Sequence, residues 1–402
     1  MRRDGVDLTR RVDTYKYPLL FALALYGYPI AGNLVALIQV DSRVVSVPFR
    51  ILVGLLSLGI IATSGRIRLD AFRLTLFAIW IAYSLRLAHD IVWTDLDGAD
   101  YALQYFLITS VLPAVAMMSA DGHNAIKYAR AVFWVAMLGC SLSLIGSLLQ
   151  LEGYQDLTEG GRLSTTAVNP VSIGHLAVSG MFCVLVLWRG ATTIKRLWFA
   201  AALLLLGWTL VQTGSKGPML ALAICVGLWS IRRGYLLRYT ILMAPFFILL
   251  LSSDTNVLAQ RVERADVDLS TLDRVTLIGD TLNQISESPV IGSAFVERHS
   301  GFYPHNVFLE APMAMGIPMG IVFAALIWVA ALRAWRTLRG DADLLGLLFF
   351  QAVLSAAVSG ALFGAIDLWT ILVLLPRRGT RTRIREAGRL QQGGPVVHGS
   401  SG

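Results

Sequence analysis

Residues 301–320 read GFYPHNVFLEAPMAMGIPMG. The polar triplet Pro304-His305-Asn306 stands directly before an apolar run long enough to enter hydrocarbon. An ionisable imidazole behind a rigid proline is an unusual thing to set at such a border. Its meaning depends on the side of the membrane it faces, and that side is set by the rest of the chain.

The chain has 402 residues, 55% hydrophobic and 15% charged, with a mean hydropathy of +0.64. Soluble domains carry about 25% charged residues, so the composition indicates a polytopic membrane protein. The N-terminus MRRDGVDLTRRVDTYK (1–16) is long and basic. The apolar segment after it is too long for a signal-peptide core, so the first helix is expected to remain. Cys140, Cys183 and Cys225 all lie inside apolar segments and read as small buried hydrophobes, without disulfide or metal spacing.

Runs approaching the ~20 residues of a spanning helix fall at 18–40, 47–64, 72–93, 103–119, 131–150, 169–188, 197–212, 217–231, 238–252, 309–332, 344–361 and 363–376. The expected fold is therefore all-α with about twelve transmembrane helices. A segment 1–17 precedes helices one to nine (18–252), a large loop at 253–308 separates them from helices ten to twelve (309–376), and a tail follows at 377–402. The connections alternate in charge: SGRIRLDAFR, AIKYAR, RGATTIKR, RRGYLLR and RAWRTLR are basic, whereas TDLDGAD and LEGYQDLTEG are acidic. The positive-inside rule places the basic set and both termini in the cytoplasm, and Pro304-His305-Asn306 on the outer face. Of the 34 Lys and Arg, 25 fall on the inner side. The net charge of +8 is thus a topology signal, which excludes nucleic acid as its explanation. The tail RRGTRTRIREAGRLQQGGPVVHGSSG is basic, then Gly/Ser-rich, and its final residues read as a non-native scar.

The nine cations outside this pattern are Arg43, Arg50, Arg86, Arg162, Lys216, Arg261, Arg264, Arg274 and Arg298. Arg43 and Arg50 flank a helix end and suit interfacial anchoring. Arg86 lies inside the third apolar segment, either as a functional cation or as an i,i+4 pair neutralised by Asp90. In the loop, STLDRVTLIGDTLNQISES (270–288) opens with Ser270 and Asp273 at capping-box spacing. Leu272, Val275, Ile278, Leu282 and Ile285 recur at helical spacing, so an amphipathic helix is expected, lying on the protein or at the membrane surface. From 253 to 310 nine acids meet four arginines, so this is no general patch for anionic lipid. Arg274 falls in the helix's expected first turn, where a cation opposes the helix dipole; that cost favours a specific anionic partner.

Three outer features suit a phosphate: GGRLSTTAVNP (160–170) with Arg162, the small-residue turn QTGSKGPML (212–220) with Lys216, and PHN with His305. Guanidinium forks and a mobile ammonium near turn N–H groups bind phosphate oxygens. A snorkelling lysine reads equally well at Lys216. Imidazole supplies acid–base capability near neutral pH, and Asn306 can cap the following helix.

In order along the chain, GRL…NP, the GSK turn, a large loop and HN…L…G resemble the O-antigen ligase family. That family belongs to the superfamily that includes O-antigen polymerases and protein O-oligosaccharyltransferases. The resemblance covers residues 150–320 by motif and the whole chain by topology. It implies transfer of polysaccharide from an undecaprenyl-diphosphate donor to a hydroxyl of lipid A–core, at the periplasmic face of the bacterial inner membrane. His305 would be the catalytic base and Asn306 its support. Lys216, Arg274, Arg162 and Arg86 would hold the diphosphate; Arg261, Arg264 and Arg298 remain alternatives for the loop arginine. The donor carries its own activation, so no cofactor and no metal is expected. Asp95 and Asp97 in TDLDGAD read as a solvated acidic turn and not a cation site. A lipid-linked oligosaccharide transporter is the competing class; it predicts two related halves, and no internal repeat is evident.

Overall fold

The computed structural model of the chain describes residues 8–64, 69–120, 124–154, 162–235, 269–340 and 343–375. Regular structure among them is helical throughout. In chain order the helices are α1 (Leu8–Ile38), α2 (Ser42–Thr63), α3 (Ala71–Val92), α4 (Ala99–Tyr105), α5 (Leu112–Met117) and α6 (Ala125–Leu148). They continue with α7 (Pro170–Leu187), α8 (Thr193–Gln212), α9 (Lys216–Arg233), α10 (Leu269–Glu287), α11 (Val307–Thr337), α12 (Asp343–Ser359) and α13 (Ile366–Leu374). A π-helical turn, Phe106–Val111, joins α4 to α5 immediately ahead of Pro113, which has no N–H to give the preceding turn.

Eight stretches are long and apolar enough to cross a membrane: 15–38, 42–63, 71–92, 99–117, 125–148, 170–190, 193–212 and 307–337. The expected twelve are therefore not all matched among the described residues. Segment 217–231 is a helix, α9, but Lys216, Arg232 and Arg233 at its ends dilute its hydropathy. Segments 344–361 and 363–376 form the 17-residue α12 and, beyond a break at Gly360, the 9-residue α13. Segment 238–252 lies outside the described residues, as do Arg261 and Arg264.

Local chemistry sets several helix ends. Asp70 Oδ1 accepts from Arg73 N at 2.9 Å to start α3. Asn169 accepts from Ser172 N at 2.8 Å, with Pro170 at the first helical position of α7. Within the bundle, Gly180 of α7 lies against Ala136 of α6 and Leu206 of α8, the small-residue contact that lets membrane helices approach closely. The three cysteines are free and buried.

Two packing features position the site. First, α9 and α12 pack together and are pinned at one end by the buried Asp343. It accepts from Arg233 Nη2 at 3.2 Å, from Trp229 Nε1 at 3.3 Å and from Arg189. The contacts to Arg233 and Trp229 join the last turn of α9 to the first of α12, so the helices run antiparallel. With 18 and 17 residues, they bring Lys216 and Ser359 out together at the opposite end.

Second, α11 is not the continuous helix its hydropathy suggests. Gly316 is non-helical (φ 82, ψ 160). Pro318 has no N–H for the Ala314 carbonyl, its i−4 partner. The segment after α10 fills the break: Ile317 N donates to Pro289 O at 2.7 Å, and Ser293 N donates to Met313 O at 2.8 Å. Gly292 (φ 74) and Gly316 allow the two backbones to touch, because a Cβ on either would strike the other strand's carbonyl.

Candidate functional site

The opening stretch supplies the centre of the site. Asn306 caps α11, its Oδ1 accepting from Phe308 N at 2.9 Å. His305 just before it has φ 54, a left-handed backbone uncommon outside glycine and concentrated at functional positions. The imidazole packs on Tyr303, ring centroids 4.4 Å apart, and hydrogen-bonds to the Ser359 backbone. Its Nδ1 is buried and has no hydrogen-bond partner among the described residues. Burial, and then the positive charge of Arg274, hold the ring's pKa below its ordinary 6.5, against the Ser359 bond, which raises it. A ring that donates to the Ser359 carbonyl keeps its lone pair on Nδ1, so His305 is neutral at neutral pH with a free acceptor nitrogen.

Arg274 reaches the same corner. Its Nη1 donates to Val358 O at 3.3 Å, where the C-terminal carbonyls of α12 favour a cation. Because α10 begins at Leu269, Arg274 is in the second turn, beyond the reach of the N-terminal dipole. The expected dipole cost is therefore absent, and Arg274 is held by the end of another helix. The side chains of Ser270, Leu272 and Asp273 lie outside the described set. Of the stripe expected to lie on the protein or at the membrane surface, Ile285 is buried whereas Val275, Ile278 and Leu282 are exposed. The buried face is Leu277, Thr281, Gln284 and Ile285.

The other two cations meet at the α8–α9 turn. Arg162 Nε donates to Thr213 O at 3.0 Å and its Nη2 to Ser215 Oγ at 2.9 Å, while Leu163 N donates to Gln212 O at 2.8 Å. Arg162 is thus fixed on the turn that Gly214 (φ 54) opens and from which Lys216 starts α9. The structure brings Arg162 to Lys216 and Arg274 to His305. Both pairs stand at the end of the α9–α12 pair remote from Asp343.

Arg86 does something different. Its guanidinium donates to Ala314 O (2.7 Å), Ile291 O (2.9 Å), Ser293 O (3.2 Å) and Gly292 O (3.3 Å), with Asp90 at 3.5 Å. Asp90 in turn accepts from Phe295 N at 3.0 Å. The expected i,i+4 pair with Asp90 is present, and the guanidinium in addition bonds main-chain carbonyls at the break of α11. Arg298 shares that duty through Ser293 O at 3.4 Å. Arg50, expected as an anchor, lies over the ring of Tyr105 at 4.7 Å.

Sequence reasoning missed Glu310. It is fully buried in the first turn of α11, accepting from Tyr83 Oη at 2.5 Å and from Leu362 N at 2.7 Å. The second bond fixes the 361–364 turn. Phe363 of that turn stands edge-on to Tyr303 at 5.8 Å, and Tyr303 carries His305. The signal was available, since a carboxylate within an apolar run is a functional candidate by default.

Searches against models of known protein families and against curated proteins find no match to this chain.

Proposed function

We propose that the protein is an O-antigen ligase. It transfers polysaccharide from undecaprenyl diphosphate to a hydroxyl of lipid A–core, at the periplasmic face of the inner membrane. The observation that supports this most is His305: a neutral imidazole with an unclaimed Nδ1, beside Arg274, at the same end of the α9–α12 pair as Arg162 and Lys216.

In this reading the acceptor hydroxyl oxygen attacks the anomeric carbon while the bond from that carbon to the diphosphate oxygen breaks. The hydroxyl proton passes to His305 Nδ1, which is buried in the substrate-free protein and is uncovered as the acceptor binds, and the bonding pair leaves with the diphosphate. Direct displacement inverts the anomeric centre. Only the neutral ring can accept the proton, and the lowered pKa keeps His305 in that form. The anomeric carbon becomes oxocarbenium-like, as in glycoside hydrolysis. The leaving diphosphate gains charge, which Lys216, Arg274 and Arg162 offset from fixed positions. Arg86 serves by holding the 291–295 segment, not by touching phosphate. Cofactor and metal have no step assigned to them.

The test uses purified full-length protein in lipid nanodiscs with a lipid-linked oligosaccharide donor and three acceptors: lipid A–core, free repeat unit and a pilin-like protein. Glycosylation of lipid A–core alone, lost in His305→Ala, is expected. Transfer only to the repeat unit or only to the protein reassigns the enzyme within its superfamily. Movement of the donor across the bilayer without covalent product makes it a transporter. Loss of transfer on chelation, restored by magnesium, removes the metal-free mechanism.

A further inference from the structure

The segment that fills the break of α11 lies against the interior of two candidate spans. Arg86, which binds it, is six residues inside the Val92 end of an apolar span, about 9 Å along the helix axis. Gly316 is nine residues inside the Val307 end of another, about 13 Å. Irregular backbone at such a level persists only where protein satisfies its polar groups. Here it does. The Ser288 carbonyl accepts from Gly292 N at 3.1 Å and the Pro289 carbonyl from Ile317 N. The carbonyls of Ile291, Gly292 and Ser293 accept from Arg86, and Ser288 Oγ adds a bond to Gly292 O at 2.8 Å.

The side chains at the tip show the complementary pattern. Val290 and Ile291 are 69% and 71% exposed, although the Ile291 carbonyl is bonded to Arg86 of α3 and the Val290 carbonyl lies against Gly316 of α11. On α10, which leads into the tip, Val275, Ile278 and Leu282 share one exposed sector at helical spacing. A separate exposed sector carries Thr276, Asn283 and Glu287. The helix therefore has a protein face, an apolar face and a polar face. The exposed apolar surface continues through Val290 and Ile291 to Ile317 and Ile321 of the span itself.

We propose that residues 288–292 form a re-entrant tip immersed in the acyl region of the leaflet on the His305 side, with Val290 and Ile291 against lipid chains. Val275, Ile278 and Leu282 hold α10 along the same leaflet's interface. The partner is phospholipid, and the inference does not depend on the enzyme's substrate.

Site-directed nitroxide labelling of the full chain in phosphatidylcholine–phosphatidylglycerol nanodiscs tests it. Single cysteines replace Val290, Ile291, Ile278, Asn283 or Glu287; the native cysteines are buried. At 290 and 291, collisions with dissolved oxygen should exceed those with a water-soluble nickel chelate, and the order should invert at 283 and 287. A label at 278 should fall between. A label at 290 as open to the chelate as one at 283 would overturn the proposal. So would a label at 290 shielded from both reagents, because a protein partner or a second copy would then cover the tip. All five positions are exposed, so the labelled variants keep the fold, and unchanged thermal melting verifies it.

Discussion

Arg86 Nε donates at 2.7 Å to the carbonyl of Ala314, the carbonyl that Pro318 leaves without a helical donor. One side chain of α3 thereby completes the hydrogen bonding of a break in α11, more than two hundred residues later in the chain.

Removing that side chain should act on stability first. Arg86→Ala leaves several buried carbonyls unpaired at about 1–3 kcal/mol each, so folded protein in detergent should lose at least about 3 kcal/mol. Arg86→Lys should recover only part of this, because an ammonium cannot fork. Thermal melting measures the loss. An Arg86→Ala protein with wild-type melting and a raised KM for the donor would restore Arg86 to the diphosphate.

The two left-handed glycines at the break should be intolerant. Gly292→Ala and Gly316→Ala each place a Cβ on an opposing carbonyl as well as straining φ, so loss of several kcal/mol is expected (on the order of 3 or more). Gly279 in α10 has open space around its Cβ, so Gly279→Ala should stabilise by about 1 kcal/mol. Equal behaviour of the three would remove the close approach from the account.

Activity should fall on acidification with a limb below pH 6.5, since burial and Arg274 depress the His305 pKa below that ordinary value and only the neutral ring can accept a proton. Arg274→Gln removes one depressing charge, so the limb should move upward towards 6.5, together with a lower kcat. The same linkage affects folding. The unfolded chain binds the proton more readily, so this residue's contribution to stability is complete above about 6.5 and declines as pH falls towards the folded value. A pH–rate profile of wild type and Arg274→Gln checks the direction. A limb that moves downward contradicts the assignment.

Lys216→Met should raise the KM for the lipid-linked donor tenfold or more (about 1.4 kcal/mol or more of lost binding), with melting unchanged. Arg162→Ala should impair the donor KM and also loosen the Gly214–Lys216 turn, because it removes the bonds to Thr213 and Ser215. Comparing the two by donor titration and limited proteolysis separates charge from turn geometry.

Glu310→Ala should lower kcat without touching substrate, because Leu362 N and Tyr83 Oη lose their acceptor and the Phe363–Tyr303 support of His305 relaxes. Glu310→Gln should retain much of the rate, since an amide oxygen still accepts from Leu362 N. If both variants lose activity alike, the carboxylate's charge matters and not its bonds.

Much of the helical layout was legible, because apolar runs of spanning length are a strong local signal: α11 and α10 begin and end within a few residues of the expected 309–332 and 270–288. Helix capping was also readable, as Asn306 shows. What failed was anything decided between distant segments. Hydropathy does not fall at Gly316, so the run looked unbroken, although glycine followed two residues later by proline was a cue to a break. The stripe through Val275, Ile278 and Leu282 was legible as apolar, but whether protein or membrane surface covers it was left open by the sequence. The protein instead accepts a mixed face with Thr281 and Gln284, since Gln284 bonds Ser293 Oγ and Val296 O. The cations were found by their unexpected side. Only tertiary contacts distinguish Arg86, whose guanidinium meets four carbonyls, from Arg162 and Arg274, which meet one each.

The anchoring of α9 to α12 at Asp343 leaves the far ends of the two helices acting as the arms of a caliper. Each arm is about 25 Å long, so a change of only 5° at the fulcrum would open or close the gap between Lys216 and Ser359 by about 2 Å. The spacing of Lys216 and Ser359 is therefore governed from the far end of the pair, by the contacts of Asp343 with Arg233, Trp229 and Arg189.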